Sequence, residues 1–291
     1  MALLPTSPSD ARVRVLAWLS LAVNILIVGT GGLVRLTASG LGCPTWPRCT
    51  ADSFVSTPEM GIHGAIEFGN RLLTFVLIVV ALLAFLSVVR MWRTRRDLVL
   101  LTLAIGFGIP LQGVIGGITV LAGLNPYVVG LHFVLSMVLI VLATVYVRRV
   151  HRGRPGPLAV PRPVAALGGV LGGLVALTVL AGILTTGSGP HAGDSGAARN
   201  GLDSELLQHV HSWPAYATLA LTVALLLVAL LRRLPTRGWL AALLAVEGAQ
   251  IAVGLVQSWT GLPPLLVGLH MVLASILVAA TTAVVLAQRQ P

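Results

Sequence analysis

Two histidines occupy the same place in a repeated apolar phrase. GLHFVLS begins at Gly130 and puts His132 third, and GLHMVLAS begins at Gly268 and puts His270 third. An imidazole inside an apolar helix is costly unless it binds a ligand or makes a hydrogen bond. Repetition of the position favours a ligand over an isolated structural histidine. Two imidazoles on facing helices at similar depth can supply both axial ligands of a haem iron. His211, expected at the outer start of a sixth helix, makes such a pair with His270. In the other half of the chain His132 has Asn70 across from it, with His63 two helical turns before Asn70. Glu67 and Arg71 flank Asn70, and Glu67 reads either as a proton-handling carboxylate beside a cofactor or as an interfacial charge.

Eight apolar stretches are available to carry these residues. The 291 residues are 56% hydrophobic and 10% charged, with a mean hydropathy of +0.94, which is too apolar for a soluble domain. The stretches run roughly 14–36, 70–90, 98–121, 127–147, 164–187, 213–231, 238–258 and 264–287, each long enough to span a bilayer. The first carries Asn24 and Arg35 and has no convincing cleavage site, so a spanning helix is expected there, not a removable leader. The fold class expected is an all-α integral membrane protein of eight helices in two pseudo-symmetric four-helix bundles.

The repeat defines the halves. Gln112 and Gln250, Gly123 and Gly261, and Pro126 and Pro264 keep the spacing that relates His132 to His270. Upstream the match is fainter, with LTASG from Leu36 beside TTGSG from Thr185, and Asn70 opposite His211. Four helices per half is an even number, so both halves enter the membrane in the same sense, unlike an inverted repeat. An N-terminal half is expected over 1–150, a Pro- and Arg-rich linker over 151–163 and a C-terminal half over 164–291.

All nineteen basic residues are arginines, and only Arg35, Arg48, Arg71 and Arg199 fall on one side of the expected membrane. The positive-inside rule then places both termini in the cytoplasm, in a plasma membrane, and leaves nucleic acid no part in the +10 charge. The first outside loop holds both cysteines of the chain, Cys43 and Cys49. Their spacing can close a small ring in an oxidising compartment, so a disulfide is expected, with free thiols the alternative. Gln112, Gln250 and the buried Glu247 carry no role at this stage.

Taken together, TASGLGCPTWPRC in the first loop, IEFGNRLLT, GLHFVLS, HVHSWPAYA and GLHMVLAS resemble the haem A synthase family over essentially the whole chain. That resemblance implies an enzyme that oxidises a methyl group of haem o to a formyl group, giving haem a for cytochrome oxidase. It implies a haem b cofactor between His211 and His270 in the C-terminal half. It also implies a haem o substrate site in the N-terminal half, near His132, Asn70, Arg71 and His63. Glu67 would be the essential carboxylate, and Cys43 and Cys49 the outside-loop pair. Haem O synthase, an electron donor and membrane lipid are the partners suggested, and homo-oligomerisation stays open. Where members of the family read Glu-x-x-His-Arg, Asn70 stands in place of the histidine, and the second outside loop has no cysteine pair. Two rivals use the same residues: a di-haem electron-transfer cytochrome, and a four-plus-four transporter that gives the matched histidines no purpose.

Overall fold

The computed structural model describes residues 4–290. Eight long helices appear among them: α1 Ala11–Leu36, α2 Gly61–Val88, α3 Arg96–Leu121, α4 Pro126–Arg152, α5 Arg162–Ser188, α6 Ser204–Leu231, α7 Arg237–Trp259 and α8 Pro264–Ala287. Each is long and apolar enough to cross a membrane.

The sequence shows why several of them start where they do. Asp10, Asn125 and Asp203 accept hydrogen bonds from backbone N–H groups in the first turns of α1, α4 and α6. Pro126 and Pro264 open α4 and α8, where a missing N–H costs nothing. Two starts differ from the hydropathy reading. α2 and α6 each begin about nine residues earlier than expected, at Gly61 and Ser204. The added turns are polar, so a hydropathy window ends before them. The Glu67–Arg71 pair, one turn apart, and the Asp203 cap extend the helices regardless. His63 and Glu67 therefore lie on α2 itself, and His211 sits in the second turn of α6, past its mouth.

α1 to α4 close into a ring in which each helix touches its sequence neighbours and α1 also meets α4; α5 to α8 do the same, with α8 meeting α5. The rings join where α8 packs on α1 and α4, and α4 on α5. Glycines make these joints close. A Cβ at Gly130 of α4 would lie 2.6 Å from Ile183 Cγ2 of α5, and one at Gly268 of α8 would lie 3.2 Å from Leu36 Cδ1 of α1. The two positions match in the repeat, an arrangement compatible with pseudo-symmetric halves.

On the face bearing most of the arginines, Asp97 accepts from Arg95, Arg149 and Arg154 and so ties the start of α3 to the end of α4. A short antiparallel bridge between Leu158 and Arg289 pins the segment before α5 to the end of the chain.

Candidate functional site

His132, His211, His270, Asn70, Glu67 and Arg71 all border one continuous cavity of about 860 Å³. It is lined from both rings of helices and runs between them. His63 is exposed at the start of α2, with Nδ1 2.9 Å from Ser39 Oγ, and is not in the cavity lining.

His211 is held from α5. Its Nδ1 lies 2.9 Å from the Thr178 carbonyl, so Nδ1 carries the proton and Nε2 keeps the lone pair. One turn further along α5, a Cβ at Gly182 would stand 2.8 Å from His211 Cε1, so only glycine leaves the ring its place.

His270 and His132 are seated in matching ways. Gln250 Nε2 donates to the His270 carbonyl at 3.2 Å, and Gln112 Nε2 donates to the His132 carbonyl at 3.0 Å. These glutamines, silent in the sequence, thus pin α7 to α8 and α3 to α4 at the histidine level. Gly254 and Gly116, also matched in the repeat, leave room for the rings. A Cβ would stand 3.1 Å from His270 Cε1 at the first and 3.3 Å from His132 Cε1 at the second. Among the described residues Nδ1 of both histidines is buried with no hydrogen-bond partner, on the side of the ring near Gly254 or Gly116, and His270 Nε2 lies 3.3 Å from Gln250 Nε2.

The His211 and His270 rings are 6.1 Å apart, centroid to centroid, at 75°. Two metal–nitrogen bonds of roughly 2 Å each, extended by the ring radii, span roughly 6 Å. The centroid spacing is compatible with a single metal between the imidazoles once Gln250 gives up its contact with His270 Nε2, and both rings border a cavity with the space a flat macrocycle needs. Gly254→Val is expected to push the His270 ring from this register and lower bound haem roughly tenfold, as loss of a ligand's supporting contact does. Haem per protein by extraction, with helix content by circular dichroism as the control, checks it.

The N-terminal side of the cavity is different. Asn70 Oδ1 accepts from the Thr30 hydroxyl at 2.8 Å, and no second imidazole stands with His132. Glu67 is buried beneath the loop between α1 and α2. Its Oε2 accepts from the Cys43 backbone N–H, and its Oε1 accepts from Arg71 Nη2 at 2.6 Å. Arg71 Nη2 also donates to the Cys43 and Thr45 carbonyls, both at 3.0 Å, so the Glu67–Arg71 pair clamps the loop onto α2. Cys43 and Cys49 form a disulfide with Cα atoms 4.4 Å apart. Within that ring Trp46 reaches into the cavity and fills the place where a Gly117 side chain would be. In the sequence Trp46 is one residue of the TASGLGCPTWPRC stretch, and glycine pairs such as Gly116–Gly117 are too common to flag its seat.

Glu247 of α7 also borders the cavity. Oε1 accepts from the Thr222 hydroxyl at 2.7 Å, and Oε2 has no hydrogen-bond partner among the described residues. His209 is exposed at the cavity mouth, one residue pair from His211 and on another side of α6.

Fold and site together define a multi-pass α-helical membrane protein with a paired-imidazole cavity between two four-helix rings. Residues 14–282 match the family described as Cytochrome oxidase assembly protein, and the chain belongs to that family. It is similar to the Heme A synthase of Bacillus pumilus (31% identical over 43% of this chain and 40% of the relative) and to that of Lysinibacillus sphaericus (34%, over 43% and 41%). A longer match, to the Heme A synthase of Methylorubrum extorquens, is 30% identical over 62% of this chain and 56% of the relative. The aligned stretches thus span from two fifths to just over half of these relatives.

Proposed function

We propose that the protein is a haem A synthase that oxidises a methyl group of haem o to the formyl group of haem a. The observation that carries this is the His211–His270 pair, spaced for one iron, in a cavity that continues to His132 in the other half. Membership of the cytochrome oxidase assembly family and the Heme A synthase relatives support it.

On this reading the C-terminal half holds a resident haem b through His211 and His270. When bound, that group supplies one-electron transfer at its iron. The Thr178 carbonyl and Gly182 orient one imidazole, and Gln250 and Gly254 seat the other. The N-terminal half receives haem o, with His132 as the axial imidazole and Asn70 adding no comparable donor. The substrate methyl carbon passes to an alcohol and then to a hydrated aldehyde, which loses water; with water as the oxygen source, each oxidation consumes one water and releases two electrons and two protons. Glu67, held by Arg71 beside the cavity, is the carboxylate placed to accept such protons. The single imidazole on the substrate side argues against a second permanent bis-histidine haem, as the di-haem cytochrome would require.

The arginine distribution supports a reading with both ends of the chain on the cytoplasmic side, in a plasma membrane; residues 1–3 and 291 lie outside the described structure. Haem o must then reach the cavity from the enzyme that makes it, and the electrons released need an acceptor, where the resemblance suggested a donor. The test is co-expression with a haem o source in cells that make no haem a. Haem a in the membrane extract is the expected result, and haem o alone, with the protein present and folded, would refute the assignment.

A further inference from the structure

The outer mouth of the cavity carries positive charge that no carboxylate answers. Of the four arginines on the disfavoured side of the membrane, Arg71 is neutralised by Glu67, and Arg48 lies over the Phe54 ring at 5.2 Å. Arg35 and Arg199 both border the cavity, and among the described residues neither has an acidic side chain within ion-pair distance.

Backbone carbonyls orient them instead. Arg35, in the last turn of α1, donates from Nε to the His191 carbonyl at 2.6 Å and from Nη2 to the Thr186 carbonyl at 3.0 Å. Arg199, in the loop before α6, donates from Nη1 to the Ala197 carbonyl at 2.8 Å and from Nη2 to the Pro190 carbonyl at 2.6 Å. Carbonyls fix a guanidinium in place without cancelling its charge, and five N–H donors leave each arginine some to spare. One cation comes from each half, and the two repel across the mouth. The favourable end of the α1 dipole explains part of Arg35 but nothing of Arg199.

We propose that Arg35 and Arg199 form a carboxylate clamp that grips the paired propionate side chains of a macrocycle lodged in the cavity. This rests on the haem reading and adds the groups that set the macrocycle's orientation. A guanidinium meeting a carboxylate in a partly dry cavity makes one of the stronger hydrogen bonds available. Two of them at one rim also place the propionates outward and the rest of the ring inward. The propionates could belong to the resident haem or to the substrate, and the chemistry recognised is the same.

The experiment follows loss of haem from the purified full-length holoprotein to a haem-scavenging apoglobin. The protein is loaded either with haem or with its dimethyl ester, which keeps the iron but has no carboxylates. R35Q and R199Q are each expected to release haem roughly tenfold faster than wild type. Wild type is expected to release the ester about as fast as the variants release haem, and the substitutions are expected to change ester release little. Both arginines also tie the loop before α6, so the ester measurement, which a folding defect would change as much as haem release, guards against that outcome. Substitutions that speed ester loss as much as haem loss would reduce the arginines to structural ties and overturn the clamp, as would variants that hold haem like wild type. Repeating the measurement in His132→Ala and His270→Ala backgrounds assigns the propionates to the macrocycle of the half left intact. A wild type that binds neither haem nor ester with a low-spin spectrum would overturn the synthase reading itself, an outcome distinct from failure of the clamp.

Discussion

His270→Ala is expected to remove the low-spin haem b spectrum and to lower extracted haem b by at least roughly tenfold, since loss of a direct ligand should exceed the effect of losing a supporting contact. His211 would remain on its Thr178 carbonyl with nothing opposite it. A methyl group in place of the imidazole also leaves a space beside Gly254, so the ring cannot be replaced by a small shift of α8. His132→Ala supplies the contrast, because it removes the equivalent ring from the other half. It is expected to leave the low-spin spectrum intact while haem a formation fails. Equal loss of haem b in both variants would break the division of the cavity into a cofactor half and a substrate half. A wild-type spectrum in His270→Ala would remove the paired-imidazole site altogether.

The second large effect is expected at Glu67. Glu67→Gln keeps size and shape but cannot ionise, and its amide presents N–H groups where Arg71 and the Cys43 N–H already donate. If the carboxylate handles protons during methyl oxidation, the ratio of haem a to haem o should fall by about 10², with haem b content unchanged. The same carboxylate also anchors the disulfide loop, so the measurement needs a partner. Limited proteolysis of the loop between Cys43 and α2 separates the two roles. Lost activity with an unchanged digestion pattern supports proton handling, and lost activity with a newly cleavable loop would assign Glu67 to loop docking instead.

Hydropathy located all eight helices because a spanning segment must be apolar over nearly its whole length, and α3, α7 and α8 match their expected limits to within two residues. It failed at the N-terminal ends of α2 and α6, where polar turns continue the helix beyond the apolar stretch. Those turns carry Glu67 and His211, so the least legible part of the fold holds part of the site. His132 and His270 were legible because the chain states them twice. Their seats were not. Which of 32 glycines lies under an imidazole depends on the rotation of each helix against its neighbour, and Gly182, Gly116 and Gly254 look like any others in the sequence. Gln112 and Gln250 show the reverse case: the repeat marked them, and only the interhelical hydrogen bonds gave them a purpose. Arg35 and Arg199 were visible as exceptions to the charge rule, but their want of an acidic partner is a fact of three dimensions.

Asn70 gives the two halves different grips. An iron bound by two imidazoles is slow to leave, which suits a group that stays for the life of the protein. An iron bound by one can be exchanged. By taking asparagine where its counterpart has His211, the N-terminal half would, on the synthase reading, hold its macrocycle through His132 alone, and so for a shorter time than family members that keep the histidine.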